Sequence, residues 1–182
     1  MNCLLKVFTT VIKEGRIMKR NLVNILVVIM ALIFQVIYPP DFIFEGVRPD
    51  FLLVVSVVIG LIWGVRYGAG LGFVAGLLQD LFLGSMFGIY TVVKLFAGGV
   101  AGFMDGIVFK EKIFIPPVII FIMTIIHETL IILLSESLIF NVNYLAVLKS
   151  IILPGALLNA IIGFIVYSIY YRILDPGGNY YG

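Results

Sequence analysis

The segment GFVAGLLQDLFLG, residues 72–84, decides the fold of this chain, because it is apolar enough for a lipid bilayer and yet contains an aspartate. Gly68, Gly72, Gly76, Asp80 and Gly84 follow one another at four-residue spacing and so lie along one stripe of a helix. Stripes of small residues let two helix backbones approach closely inside a membrane, where packing and interhelical hydrogen bonds replace the hydrophobic effect. The sequence therefore predicts a packed membrane helix whose stripe carries an acid in need of a partner.

The composition of the whole chain agrees with a membrane environment. Of 182 residues, 62% are hydrophobic and 12% are charged, and the mean hydropathy is +1.19. Apolar residues come in long blocks separated by short polar joints, which is typical of a multispanning protein. The net charge of +2 is too small, and the cations are too dispersed, for a nucleic-acid-binding surface. The single cysteine, Cys3, excludes an intrachain disulfide.

Six apolar segments are candidates for membrane-spanning helices, each of which needs about 20 residues. They lie at roughly 21–38, 50–65, 67–85, 88–108, 113–134 and 150–171. The second is short, and Pro49 is predicted to start it as a first-turn residue, a position that proline favours. The sequence thus predicts one all-α domain, a six-helix transmembrane bundle over residues 18–174. Residues 1–17 are interpreted as a cytoplasmic extension, with Met18 as a candidate for the true start of the protein. Residues 175–182 are interpreted as a flexible tail.

The distribution of lysine and arginine predicts that both termini are cytoplasmic, because positively charged short loops tend to stay on the inner side. With that orientation two cations in loops lie outside, Arg48 and Lys149. The inner side receives nine, namely Lys6, Lys13, Arg16, Lys19, Arg20, Arg66, Lys110, Lys112 and Arg172.

Asp80 and Lys94 are predicted to form an ion pair between the third and fourth segments. The fourth segment repeats the same spacing with Lys94, Gly98, Gly102 and Gly106. An antiparallel hairpin that turns near residue 87 would set 80 beside 94, 76 beside 98, 72 beside 102 and 68 beside 106. An unpaired charge at the centre of a spanning helix costs about 2.5–3.5 kcal/mol on insertion scales. Three interpretations stay open: a pair that only locks two helices, a pair that lines a cavity or docking surface, and a lysine that snorkels to the interface.

A second group of polar residues lies in the fifth segment, where Thr124 and Glu128 share a helix face and His127 lies beside it. The predicted orientation puts them at a depth similar to that of the charged hairpin residues, and Asn159 lies near mid-membrane in the sixth segment. These residues define a candidate intramembrane polar cluster of Asp80, Lys94, His127, Glu128 and Asn159. The alternative is that His127 and Glu128 make separate helix contacts.

Catalytic and metal-binding motifs are incomplete in this sequence. His127 and Glu128 begin an HExxH motif, but position 131 is isoleucine and the chain has one histidine, so zinc ligands are missing. Ser85 lies in GSMFG, which is not a nucleophile elbow. Asp80 and Asp105 are predicted at opposite ends of the hairpin, and there is no phosphate-binding GxxxxGK[ST] motif. The sequence predicts no catalytic residue, metal or cofactor.

Several motifs resemble the MreD family of bacterial rod shape-determining membrane proteins. They are RPDFLL at 48–53, RYG at 66–68, and the G-x-x-x-G-x-x-x-D-x-x-x-G stripe followed by Gly88 and Lys94. The resemblance implies a six-helix fold similar to the substrate-binding subunits of energy-coupling-factor transporters. It assigns roles in the fold and in docking to Pro49, Asp50, Gly72, Gly76, Asp80, Gly84 and Lys94. The N-terminal extension and the single Arg66 depart from the family pattern.

The resemblance also implies a function: a noncatalytic component of the cell-elongation machinery in the bacterial cytoplasmic membrane. Such a protein binds the bitopic protein MreC and links MreB filaments indirectly to the glycan polymerase and transpeptidase that build lateral peptidoglycan. One alternative is a substrate-binding membrane subunit of a small-molecule, vitamin-type transporter with a cavity lined by Asp80, His127, Glu128 and Asn159. The other alternative is a protein that carries out proton or lipid chemistry at the candidate intramembrane polar cluster.

Overall fold

A computed structural model of the chain describes residues 2–37, 47–82, 88–105, 114–135 and 143–174. They form the helices α1 (Asn2–Ile37), α2 (Phe51–Trp63), α3 (Val65–Phe82), α4 (Ile89–Phe103), α5 (Ile115–Leu134), α6 (Tyr144–Val147) and α7 (Leu153–Leu174). A π-helical turn, Leu148–Ile152, joins α6 directly to α7. The prediction of an all-α protein is confirmed for these residues. Gly84, Gly106 and the predicted tail 175–182 lie outside the described residues.

Helix α2 is the central helix of the bundle. It is apolar around its whole circumference, every residue from Leu52 to Ile62 is buried, and it packs against α1, α3, α4, α5 and α7. A helix that is hydrophobic on all sides is a buried helix. Its 13 residues span about 20 Å, less than the roughly 30 Å of a hydrocarbon layer. The segment predicted at 50–65 is therefore a core helix that its neighbours surround.

A capping residue defines each end of α2. Asp50 is the N-cap, and its side chain accepts a hydrogen bond from the backbone N–H of Leu53. Pro49 precedes the cap, so the expectation that it lies in the first turn is wrong. At the other end, Gly64 is the single residue between α2 and α3, with a φ of 83° that other residues rarely adopt. This glycine lets the chain reverse without a loop.

Glycines bring α3 and α4 into backbone contact. A Cβ atom at Gly68 would overlap the backbone of Gly98, and one at Gly72 would overlap that of Lys94. Both predicted stripes thus contribute to this contact, but the predicted register is wrong. Gly68 meets residue 98 instead of 106, and Gly72 meets 94 instead of 102, a displacement of about two helical turns along α4. Glycine at every fourth position fits several such registers equally well.

Gly60, which lies outside the two predicted stripes, brings α2 into the same contact. A Cβ atom at Gly60 would lie 2.6 Å from the carbonyl oxygen of Gly98, and one at Gly68 would lie 2.7 Å from the Cα of Gly60. Gly60, Gly68 and Gly98 therefore mark the point where α2, α3 and α4 approach most closely. Because real Cβ atoms do not make such contacts, larger residues there would push the helices apart.

The exterior of the bundle is apolar. Large hydrophobic side chains such as Leu26, Phe96, Val118 and Ile165 are exposed. Two helices, Ile115–Leu134 and the continuous helix Tyr144–Tyr170, are long and apolar enough to cross a membrane, and Asn21–Ile37, Phe51–Trp63 and Ile89–Phe103 are shorter apolar helices. The six-span arrangement stays a prediction. So does the boundary between residues 17 and 18, across which α1 is continuous.

Candidate functional site

Asp50 lies at the centre of a buried polar cluster at the N-terminus of α2. Its Oδ1 atom accepts the 2.9 Å hydrogen bond from the Leu53 N–H, and its Oδ2 atom pairs with the ammonium group of Lys94 on α4. The Lys94 side chain is fully buried, and that of Asp50 is 8% exposed. Removing two charges from water is costly, and direct pairing with further hydrogen bonds is what offsets that cost. Asp50 is therefore the counter-ion that allows a lysine inside the bundle.

The predicted ion pair between Asp80 and Lys94 is wrong. The carboxylate of Asp80 instead accepts hydrogen bonds at the start of α4: 3.2 Å from Tyr90 N–H, 2.9 Å from Thr91 N–H and 2.5 Å from the Thr91 hydroxyl. The first N–H groups of a helix lack partners within it and carry a partial positive charge. The N-cap residue of α4, Gly88, provides no side-chain cap. Asp80 takes that role from the neighbouring helix, and Lys94 pairs with Asp50.

Residues of α5 and α7 complete the cluster around Asp50. Asn159 accepts a 2.9 Å hydrogen bond from the Asp50 N–H and donates one of 3.3 Å to the Thr124 hydroxyl. The Nε2 atom of His127 lies 3.9 Å from Asp50 Oδ2, and its Nδ1 atom lies 3.2 Å from Glu128 Oε1. The cluster thus joins four helices, α2, α4, α5 and α7, through polar contacts in an apolar interior.

Four of the five residues in the predicted cluster come together in this way. Lys94, His127 and Asn159 contact Asp50, and Glu128 joins through His127. Asp80 is separate, at the N-terminus of α4. Asp50 was predicted to have a role only through the family resemblance, and its position at the centre of the cluster was not predicted. The signal that identifies it is an acid directly before an apolar helical run, which is the position of an N-cap.

A polar cavity of about 280 Å³ lies beside the cluster. Polar side chains from five helices and from the segment before α2 line it, among them Gln35, Arg48, Gln79, Tyr90, Glu128 and Asn159. Gln79 is only 7% exposed, and its Oε1 atom has no hydrogen-bond partner among the described residues. Since buried polar atoms are nearly always hydrogen-bonded, either a water molecule or a ligand group in the cavity would supply the missing partner. Of the four residues expected to line a transporter cavity, Glu128 and Asn159 do so, and Asp80 and His127 do not.

The same cluster contains side chains of the types that bind metals. Single ligand atoms of Asp50, His127 and Glu128 lie within 4.8 Å of one another. The ammonium group of Lys94, however, occupies Oδ2 of Asp50, the oxygen nearest to His127, and so takes the position of a cation. Asp80 lies at the N-terminus of α4, while Asp105 follows its C-terminus, so these two carboxylates cannot act as a catalytic pair.

Three features are those expected of a helical membrane protein. The bundle exposes many large apolar side chains, two of its helices are long and apolar enough to cross a bilayer, and a buried lysine is paired with an aspartate. Comparison with models of protein families identifies one family. The model of the family described as rod shape-determining protein MreD matches residues 16–174, which is most of the chain. The chain therefore belongs to the MreD family, a family of membrane proteins that determine rod shape.

Comparison with curated proteins gave no match, and comparison with solved structures gave none. The similarity to the substrate-binding subunits of energy-coupling-factor transporters, which the family resemblance implies, thus stays a prediction.

Proposed function

We propose that this chain is a noncatalytic, integral-membrane component of the bacterial cell-elongation complex, required for rod shape and for lateral peptidoglycan synthesis. The observation that carries the proposal is the match of the MreD family model over residues 16–174. In this proposal the protein is a six-span bundle in the cytoplasmic membrane with both termini inside, as the excess of lysine and arginine in the predicted inner loops favours.

A noncatalytic role agrees with the contacts of the buried charged groups. The Asp50 carboxylate is engaged by Lys94 and by the start of α2, and the Asp80 carboxylate by the start of α4. Groups that are held by several internal partners stabilise one arrangement of helices. These residues thus have roles in the fold, and the outward-facing surfaces are available for partners.

The proposed direct partner is MreC, a bitopic membrane protein. Apolar side chains cover the exterior of the bundle, and within a bilayer such a surface associates with another helix through close packing. Through MreC the chain would connect the glycan polymerase and transpeptidase with MreB filaments. No nucleic acid and no cofactor is part of this proposal.

A second candidate function is that of a substrate-binding membrane subunit of a small-molecule transporter. The observation in its favour is the polar cavity of about 280 Å³, together with the Oε1 atom of Gln79, for which the described part of the chain offers no hydrogen-bond partner. Pockets for small ligands begin at about this size. In this reading the chain would associate with a coupling subunit and an ATPase pair, so the two functions differ in their partners.

The experiment that separates them is a crosslinking pull-down of the tagged full-length chain from native membranes, with mass spectrometry of the captured proteins. We expect MreC and the wall-synthesis enzymes to be recovered. Recovery of an ATPase pair with a coupling subunit, and no MreC, would contradict the proposal and support the transporter.

A matched pair of variants controls for the fold in this pull-down. Gly68→Leu introduces a side chain where the backbone of Gly98 lies, whereas the position of Gly70 has open space around it. Capture of MreC should be lost with Gly68→Leu and kept with Gly70→Leu.

A further inference from the structure

We propose that the polar cavity and an apolar groove beside it form a binding site for one phospholipid with a zwitterionic, ammonium-bearing headgroup. This inference needs the chain to lie in a membrane, but it does not depend on MreC or on any other protein partner. The headgroup would occupy the cavity, and one acyl chain would lie in the groove.

The lining of the cavity carries both signs of charge. Arg48 is an exposed cation at the cavity, and Glu128 is a half-buried acid with 36% of its side chain exposed. The charge of Asp50 in the same lining is balanced by Lys94. The charged groups that line the cavity besides Asp50 are the Arg48 guanidinium and the Glu128 carboxylate, one oxygen of which also contacts His127. The Oε1 atom of Gln79 adds an acceptor that has no partner among the described residues. Arginine suits a phosphate, while a carboxylate and an amide oxygen suit an ammonium group.

The apolar groove lies between α1, α2 and α7 and has a volume of about 250 Å³. Its lining is almost entirely hydrophobic and includes Leu26, Met30, Phe34, Val55, Val166 and Ile169. On α1 the lining extends from Val23 to Phe34, a distance of about 17 Å at the rise of an α-helix. That is close to half of a hydrocarbon layer of about 30 Å, which is the depth of one leaflet.

Residues that are adjacent in the chain line the cavity and the groove, and one hydrogen bond links the two linings. Gln35 lines the cavity and Phe34 lines the groove, and in the same way Asp50 lines the cavity and Phe51 lines the groove. The Phe51 N–H donates a 2.8 Å hydrogen bond to Gln35 Oε1 at this border. A ligand that fills both must be polar at one end and apolar along the rest. A phospholipid has this form, and a soluble solute would leave the groove empty.

The test uses the full-length chain, purified in mild detergent and depleted of lipid, with native mass spectrometry to measure lipid affinity. The probes are a phosphatidylethanolamine and a phosphatidylglycerol with the same acyl chains. We expect one phosphatidylethanolamine to bind at least about tenfold more tightly than phosphatidylglycerol, since a charge-assisted hydrogen bond of ordinary strength corresponds to such a factor. Glu128→Gln should abolish this preference, and Arg48→Gln should weaken the binding of both lipids about tenfold.

A pair of tryptophan variants tests the groove. Met30→Trp fills it and should weaken phosphatidylethanolamine binding, whereas Val92→Trp, at an exposed apolar position of α4 outside the groove, should leave it unchanged. Unchanged thermal unfolding of the variants shows that the fold is intact. Equal affinity for the two lipids, or no effect of Met30→Trp, would overturn the proposal and indicate nonspecific lipid only. Soluble phosphoethanolamine binding as tightly as the lipid would also overturn it, in favour of a soluble ligand.

Discussion

Lys94→Met is expected to lower the free energy of unfolding by about 3–5 kcal/mol, because it leaves the buried carboxylate of Asp50 without its counter-ion. Methionine fills a similar volume, so the loss comes from the unpaired charge. Adding Asp50→Asn should recover most of the loss, since asparagine still caps α2 and carries no charge. The measurement is reversible unfolding of the purified chain in mixed detergent for the two single variants and the double variant.

Two controls make this cycle specific to the observed pair. Lys149→Met removes an exposed lysine and should change stability little. Asp80→Asn combined with Lys94→Met should give no recovery, because Asp80 binds the start of α4 and not Lys94. If Asp80→Asn recovered the stability and Asp50→Asn did not, the pairing of Lys94 with Asp50 would be wrong.

Gly68→Ala should destabilise the bundle by about 3 kcal/mol, because even one methyl group would overlap the backbone of Gly98 and force α3 and α4 apart. Gly70→Ala provides the matched comparison on the same helix. There a Cβ atom meets nothing within 4 Å, and the better helix propensity of alanine should stabilise by about 0.5–1 kcal/mol. The same unfolding measurement applies to both variants.

The opposite signs of these two effects are the important result. Destabilisation of equal size at both positions would show that α3 responds to any added side chain. The close contact of Gly68 with Gly98 would then not be what holds α3 against α4.

The sequence predicted the α3–α4 contact but not its register. Glycine at every fourth position identifies the helix face that can approach another backbone, and that face is correct for Gly68, Gly72 and Gly76. The register between α3 and α4 also depends on the polar contacts that the two helices make with each other. The uncapped start of α4 attracts Asp80, and this fixes an alignment that glycine spacing alone leaves open.

The partner of Lys94 also required the structure. Asp50 lies 44 residues away in the chain, and its contact with Lys94 depends on the position of α2 at the centre of the bundle. Hydropathy identifies α2 as apolar but does not distinguish a helix surrounded by protein from one surrounded by lipid. The polar cluster was predicted in part, because charged groups in an apolar interior have few partners besides one another.

Cell shape tests the central claim most directly, namely that the buried charges of this chain hold a scaffold together and take no part in chemistry. Cells that depend on this chain for rod shape would be given the variant carrying both Asp50→Asn and Lys94→Met. Its amount in the membrane would be compared with that of the unaltered chain. We predict rod-shaped cells, because the double variant keeps the helix cap and removes both charges together. Round cells with a normal amount of folded protein would contradict this account and show that the charges themselves are needed for function.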